Sequence, residues 1–182
     1  GELGGMGLIR NAVAQGEQAA DHVIQGGRRG AGEILDAVIV GAGPAGISAA
    51  LRLQEKGLRY VMLERERFGG TIVHYPRAKL TMTGTLSLPN FGTVRKKQMS
   101  KEELVELWNE IREKAKLPVH EGELVEAVDD TSDGHYVVRA ESGKSWGAAN
   151  VLLALGRRGS PRKLGVGGED PSKVAYRVIE PE

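Results

Sequence analysis

The chain has 182 residues, enough for one domain with a buried core. Its 25 basic and 24 acidic residues leave a net charge of +1, which removes the electrostatic reason to expect nucleic acid or an anionic membrane as partner. Cysteine is absent, so disulfides, thiolate metal ligands, chain-borne iron–sulfur ligands and a Cys-x-x-Cys redox pair are excluded for these residues.

The opening GELGGMGLIRNAVAQGEQAADHVI sets Gly4, Gly5 and Gly7 ahead of Leu8, Ile9, Ala12, Val13, Ala19, Ala20, Val23 and Ile24, the spacing of one helix face. A glycine-rich turn feeding a helix is an anion site, because free N–H groups and the helix dipole point outward there. No strand precedes this one, so it has no local ligand to serve. QGGRRGAGE, 25–33, reads as a flexible linker. ILDAVIV, 34–40, is a β-branched run suited to a strand buried on both faces. PAGISAALRLQEKG predicts a helix stopped by Gly57, and RYVMLE, 59–64, a second strand.

Residues 67–98 read as loop-rich and basic, with Pro76 and Pro89 as breakers. MSKEELVELWNEIREKAK predicts a helix capped by Ser100 with Glu103 three residues on, and Leu104, Leu107, Trp108 and Ile111 form its buried stripe. LVEAVDD, HYVVRAE and SWGAANVLLAL, separated by SDG and SGK turns, predict a small antiparallel meander leading into a buried strand at Val151–Leu155. The four histidines, at 22, 74, 120 and 135, show no metal-ligand spacing. Arg77, Lys79, Arg95, Lys96 and Lys97 make a basic region that suits either an acidic redox partner or plain solvation.

VIVGAGPAG places Gly41, Gly43 and Gly46 as G-x-G-x-x-G between a strand and a helix, and an acid, Glu64, ends the next strand. Gly41 permits the sharp turn, Gly43 lets backbone approach a pyrophosphate, and Gly46 lets helix and strand pack closely. Pro44 and Ala45 complete the turn. The phosphates of a dinucleotide then lie on the helix N-terminus, and Glu64 accepts the ribose hydroxyls. The fingerprint alone does not separate NAD from FAD.

LERERFGGTIVHYP resembles the two-dinucleotide-binding-domain flavoprotein reductases, of which thioredoxin reductases are the familiar members. The resemblance implies an α/β fold: a Rossmann-like FAD-binding domain with a central parallel sheet, flanking helices and a small antiparallel β-meander. It implies FAD as cofactor, with Arg65, Gly69, Gly70 and Thr71 along it. GELVEAV resembles the segment whose backbone meets the adenine edge, centred on Val125, and NVLLALGRRGSPRKLGVGGED resembles the strand ending the first FAD segment, which implicates Ala154 and Gly156. Leu155 stands there for the usual Thr, and Gly167 where a Pro often sits.

The opening resembles the family's last FAD segment, a Gly-Asp followed by a helix N-terminus facing the flavin's pyrimidine edge, with Glu2 in place of Asp. The resemblance implies cofactor contacts from Glu2 and Met6, and from the backbone of Arg10, Asn11 and Ala12 near flavin O2 and N3. The order resembles that of permuted multidomain relatives, some with ferredoxin-like iron–sulfur modules upstream. The expected divisions are a displaced flavin-edge segment at 1–25, the linker at 26–33, the FAD-binding domain at 34–170, and the start of a connection to a missing NAD(P)H-binding domain at 171–182. No second G-x-G-x-x-G follows a strand, so a fragment is expected.

The implied activity passes hydride from a nicotinamide to flavin N5 and onward to a disulfide, a ferredoxin-like centre or a quinone-like acceptor. The flavin carries that chemistry, so no catalytic acid, base or nucleophile is assigned. Implied partners are the NAD(P)H-binding domain and a ferredoxin-like or other redox protein, with a homodimer as one option. With no transmembrane run and no leader pattern, the expected location is cytoplasmic. Two alternatives remain: an NAD-binding domain of a dehydrogenase, and a non-catalytic flavin-binding module.

Overall fold

The computed structural model describes residues 7–156. In chain order its elements are α1 (Ile9–Gly26), β1 (Ala37–Val40), α2 (Pro44–Glu55), β2 (Tyr60–Glu64), a 3-10 helix (Gly70–His74), β3 (Leu80–Met82), β4 (Thr85–Leu88), β5 (Gly92–Arg95), β6 (Gln98–Ser100), α3 (Lys101–Ala115), β7 (Val119–Glu121), β8 (Val125–Asp130), β9 (Tyr136–Ala140), β10 (Ser145–Ala148) and β11 (Val151–Leu153). The central sheet is parallel throughout, in the order β11-β1-β2-β7.

Strand alternation sorts the core into two layers. Ala37, Ile39, Tyr60 and Met62 face the helices, packing with residues such as Ile47, Leu51, Leu104 and Trp108. Val38, Val40, Val61 and Leu63 face the antiparallel β8–β9–β10 sheet through Val138 and Ala148. Every residue of β1 and β2 is buried, as the β-branched run of β1 predicts. The result is helices, parallel sheet and meander stacked in three layers, the α/β class expected.

α1 joins the helical layer through Ile9, Val13, Ala20 and Val23. A Cβ on Gly16 would lie 2.0 Å from the Ala45 carbonyl oxygen, so this glycine lets the backbones of α1 and α2 meet. On another side α1 packs against β4, whose Leu86 and Leu88 are buried in the same core.

The segment expected to be a flexible linker is tied down. The Arg59 guanidinium donates to the carbonyls of Gly30, Gly32 and Ile34 at 2.9, 2.7 and 2.6 Å. Buried Asp36 accepts the Gly30 and Arg59 N–H groups, and Asn150 Nδ2 donates to the Arg28 and Asp36 carbonyls. Glycine content signals freedom in the unfolded chain; here distant side chains supply the restraint.

Residues 67–98 hold more regular structure than their breakers suggest. β3 pairs with β6 and β4 with β5, both antiparallel, forming a hairpin in two tiers. Strands of three or four residues are too short to show much alternation, although buried Leu86 and Leu88 alternate with exposed Thr85 and Ser87. The α3 capping box forms as expected: Ser100 Oγ accepts the Glu103 N–H at 3.2 Å and Glu103 accepts the Ser100 N–H at 2.8 Å. Leu104, Leu107, Trp108 and Ile111 are buried.

Two further expectations are corrected. SWGAANVLLAL divides at Ala149–Asn150, because β10 pairs with β9 while β11 pairs with β1. β11 is the edge of the parallel sheet, not a buried strand, and Leu153 and Leu155 are 62% and 55% exposed. β7, the opposite edge, carries no apolar pattern and was not foreseen; its register on β2 pairs Leu63 with His120.

Candidate functional site

A cleft of about 570 Å³ opens at the C-terminal ends of β1, β2 and β11, where ligands of open α/β sheets bind. Gly41 leaves β1 with φ +105°, and a Cβ there would lie 2.4 Å from the Ala154 carbonyl oxygen. That contact draws β11 close, and Ala154 N–H donates to the Val40 carbonyl at 2.7 Å. Gly46, in the first turn of α2, would place a Cβ 2.0 Å from the Gly41 carbonyl.

Gly43 differs in kind. It is the N-cap of α2 at φ −84°, and a Cβ there would meet only Gly70 Cα, at 3.9 Å. Gly70, at φ +61°, would in turn drive a Cβ to 2.9 Å from Gly43 Cα. Gly69 N–H donates to the Ala42 carbonyl at 2.9 Å, locking the second glycine turn onto the first. Gly43 and Gly70 therefore line the cleft with backbone alone, a cradle that side chains would fill. Pro44 and Ala45 lie on the same wall, and no acidic residue or side-chain cap occupies the first turn of α2. This fits the pyrophosphate of a dinucleotide.

Glu64 lines the cleft and is 7% exposed. Its carboxylate accepts the Ala42 N–H at 2.9 Å and the Glu66 N–H at 3.0 Å, one on each oxygen, leaving further lone pairs for hydroxyl donors. Arg65 and Val125 border it, with Glu123 and Leu124 beside them. Glu123 is 4% exposed and holds Lys144 Nζ and Ser142 Oγ; these bonds, that from Lys144 foremost, keep its carboxyl below the ordinary 4.5. Thr71, Ala154 and Gly156 complete the far wall.

The opening helix reaches the same cleft. Gly7, Leu8, Ile9, Ala12, Gln15 and Gly16 line it. Leu8, the N-cap, offers no side-chain cap, and the first turn of α1 carries no acid. The amides of Asn11 and Ala12 both donate to the Leu8 carbonyl, at 3.0 and 3.1 Å, so they are engaged within the helix rather than turned to the cleft. Ile9 and Arg10 carry the amides that precede the first intrahelical bonds. Ala12 lines the cleft and Asn11 does not.

Gly46 and Gly69 stand behind the wall they shape, and Glu2 and Met6 lie outside the described residues. His74 Nε2 lies 2.8 Å from a Glu66 carboxylate oxygen. Gln15, Gly16, Tyr75 and Glu123 were not singled out from the sequence. The Ala12-x-x-x-Gly16-x-x-x-Ala20 stripe was the available signal for close helix packing. Among the described residues no group of His, Asp and Glu could hold a metal ion, and no helix is long and apolar enough to cross a membrane.

Residues 38–182 match the family model described as pyridine nucleotide-disulphide oxidoreductase. The ferredoxin–NADP reductase of Ignicoccus hospitalis is 30% identical over 146 residues, covering 80% of this chain and 44% of that protein. The thioredoxin reductase of Helicobacter pylori is 32% identical over 137 residues, covering 75% of this chain and 39% of that protein. The chain thus spans less than half the length of either relative. In structure, the bacillithiol disulfide reductase of Staphylococcus aureus superposes with a TM-score of 0.71 at 21% identity, over 82% of this chain and 46% of that one, and so shares the fold. A strand–glycine–helix–acid unit in this cleft and a family match over most of the sequence point the same way: the chain belongs to the pyridine nucleotide-disulphide oxidoreductase family of FAD-binding oxidoreductases.

Proposed function

We propose that this chain holds FAD across the cleft and forms the FAD-binding part of an NAD(P)H-dependent oxidoreductase. The observation that carries the reading is the convergence of two uncapped helix N-termini, those of α1 and α2, on one cleft that also holds Glu64. One such terminus suffices for a dinucleotide pyrophosphate. A second, brought in from outside the β1–α2–β2 unit, suits a ligand with a second electron-rich end, as the pyrimidine edge of a flavin provides.

In this reading the amide of Ala45, on the cleft wall ahead of the first α2 bond from Ile47 to Gly43, binds the pyrophosphate, and Gly46 behind it lets the turn close. Glu64 accepts the adenosine ribose hydroxyls while keeping its two backbone partners, and Arg65 and Val125 border the adenine. Gly70, Thr71, Ala154 and Gly156 shape the middle of the cleft, and the Ile9 and Arg10 amides face the flavin edge. When bound, the flavin supplies electron transfer between a nicotinamide and an acceptor; the chain supplies binding, orientation and field. The NAD(P)H-binding domain and the acceptor, whether a disulfide, a ferredoxin-like centre or a quinone-like molecule, belong to the proposal for the whole protein. Thioredoxin reductase and ferredoxin–NADP reductase among the relatives support it.

The test is the cofactor. Ligand released by heat from the purified protein runs as FAD on chromatography, and the protein as isolated absorbs as a flavoprotein. Release of nicotinamide nucleotide alone would establish the dehydrogenase alternative.

A further inference from the structure

Charge is unevenly spread along this chain. Residues 67–101 contain seven Lys and Arg and not one Asp or Glu, leaving 18 basic against 24 acidic residues elsewhere. A nearly neutral protein therefore carries a strongly cationic segment on an acidic body. That segment is mostly the two-tier hairpin of β3–β6 and β4–β5.

The outer tier presents an apolar face. Leu80 and Met82 on β3 are 63% and 64% exposed, while Thr81 between them turns inward opposite buried Met99. Ser100 and Gln98 stand beside them in register on β6. Around this face lie exposed Arg77, Arg95 and Lys97; the charge of Arg77 acts on Glu102, while Arg95 and Lys97 have no ion-pair partner among the described residues. Lys96 is paired with Glu103 at 2.9 Å, and Lys79 lies over the Tyr75 ring at 3.9 Å.

The tier is held firmly. The Thr83 and Gly84 amides donate to the Lys97 carbonyl and Thr83 Oγ1 to the Lys96 carbonyl, while β4 below is anchored on α1 by Leu86 and Leu88. Two large exposed apolar side chains within a cationic rim, on a fixed strand pair, have the layout of an interface with an apolar centre and a polar rim. Cations close together repel one another, and facing carboxylates relieve that repulsion while steering the encounter.

We propose that the outer face of β3–β6 and its flanking cations form a docking surface for a small electron-carrier protein presenting carboxylates around an apolar centre. That the partner is an electron carrier rests on the FAD reading; that it is acidic rests on the charge distribution alone. A nucleic acid is disfavoured because the nearby aromatics, Tyr75 and Phe91, are half-buried and each is covered by a lysine, leaving no stacking platform. A membrane is disfavoured because two apolar side chains are a small anchor.

The experiment titrates the FAD-loaded protein against a panel of small acidic electron carriers, a [2Fe–2S] ferredoxin, a flavodoxin and a thioredoxin, with cytochrome c as the basic control. At least one acidic carrier binds, and raising salt from about 20 mM to about 200 mM weakens it at least about tenfold. R77E/R95E/K97E abolishes that binding and L80S/M82S weakens it while its salt dependence persists; both variants retain FAD and the wild-type melting profile. The proposal is overturned if no acidic carrier binds, if charge reversal leaves binding intact, if anionic vesicles or single-stranded DNA bind more tightly than every carrier, or if the chain self-associates through this face. FAD content, measured on the same samples, separates the two readings. An unsubstituted protein that retains FAD and binds no acidic carrier removes the docking surface only, whereas an unsubstituted protein that lacks FAD and binds an acidic carrier removes the flavin reading only.

Discussion

Gly16 and Gly43 are both glycines near the N-terminus of α2, and their surroundings ask for them for opposite reasons. A Cβ on Gly16 would meet the Ala45 backbone at 2.0 Å, and backbone cannot swing aside. Gly16→Ala therefore forces α1 off α2, costing about 1–3 kcal/mol as overpacking does, seen as a lower urea midpoint of the ligand-free protein. Gly43 has open space and an ordinary φ of −84°. Gly43→Ala leaves the ligand-free stability unchanged or raises it by about 0.4–1 kcal/mol through a less flexible unfolded chain, yet its methyl group enters the cradle and lowers FAD affinity. Equal midpoint losses in the two variants would refute this division. Glu123 gives the residue-scale pH dependence. Its folded-state carboxyl lies below the ordinary 4.5, because it accepts from Lys144 and Ser142. The pair therefore stabilises the fold above about pH 4.5 and ceases to as pH falls through the lowered value. In urea melts from pH 6 downward (about pH 3 as the lower limit, set by that linkage), Glu123→Gln narrows its deficit against the wild type as acidity rises.

At the scale of elements, α1 and α2 both start without a cap and α3 starts with a complete one. An uncapped N-terminus leaves amides unsatisfied, a cost that a bound anion removes. Leu8→Asp tests the trade. Asp at the N-cap stabilises α1 by about 0.5–2 kcal/mol, raising the melting temperature of the ligand-free protein. Its charge then opposes electron density at the cleft, weakening FAD binding by about 0.3–1 kcal/mol, roughly two- to fivefold, and lowering the potential of the retained flavin. Leu8→Asn caps without charge, so it should reproduce the stabilisation and leave the potential near the wild type. A potential shift of the same size in both variants would show that contact with Leu8, not charge, sets it.

The whole molecule depends on how α1 is returned to a sheet that it does not precede by a short turn. The connection over residues 27–36 is fixed by Arg59 from the start of β2, by Asp36, and by Asn150 from the turn into β11. Removing Arg59 frees three carbonyls at once. Arg59→Ala is expected to speed amide hydrogen exchange over residues 27–35 and expose that segment to limited proteolysis, while β1, β2 and α2 keep their protection. Uniform loss of protection across the sheet would mean that the connection is part of the global fold rather than a separately opening strap.

The sequence by itself determined the β1–α2–β2 unit, its glycine turn and the acid that ends it, because those depend on local backbone needs: a positive φ at Gly41, room at Gly46 and a strand buried on both faces. It determined the capped α3 and its stripe for the same reason, since capping and helical period act within a few residues. Only tertiary structure decided what lies far apart in the chain. That the N-terminus of α1 shares a cleft with Glu64, which the family resemblance implied and no local pattern required, follows from Gly16 meeting Ala45 across two helices. That β7 and β11 are edges, that residues 80–100 fold as two tiers, and that the glycine-rich connection is tied down were likewise decided by pairing partners outside each segment. Short strands and glycines carry little preference of their own, so their conformation is set by the surfaces and side chains they meet.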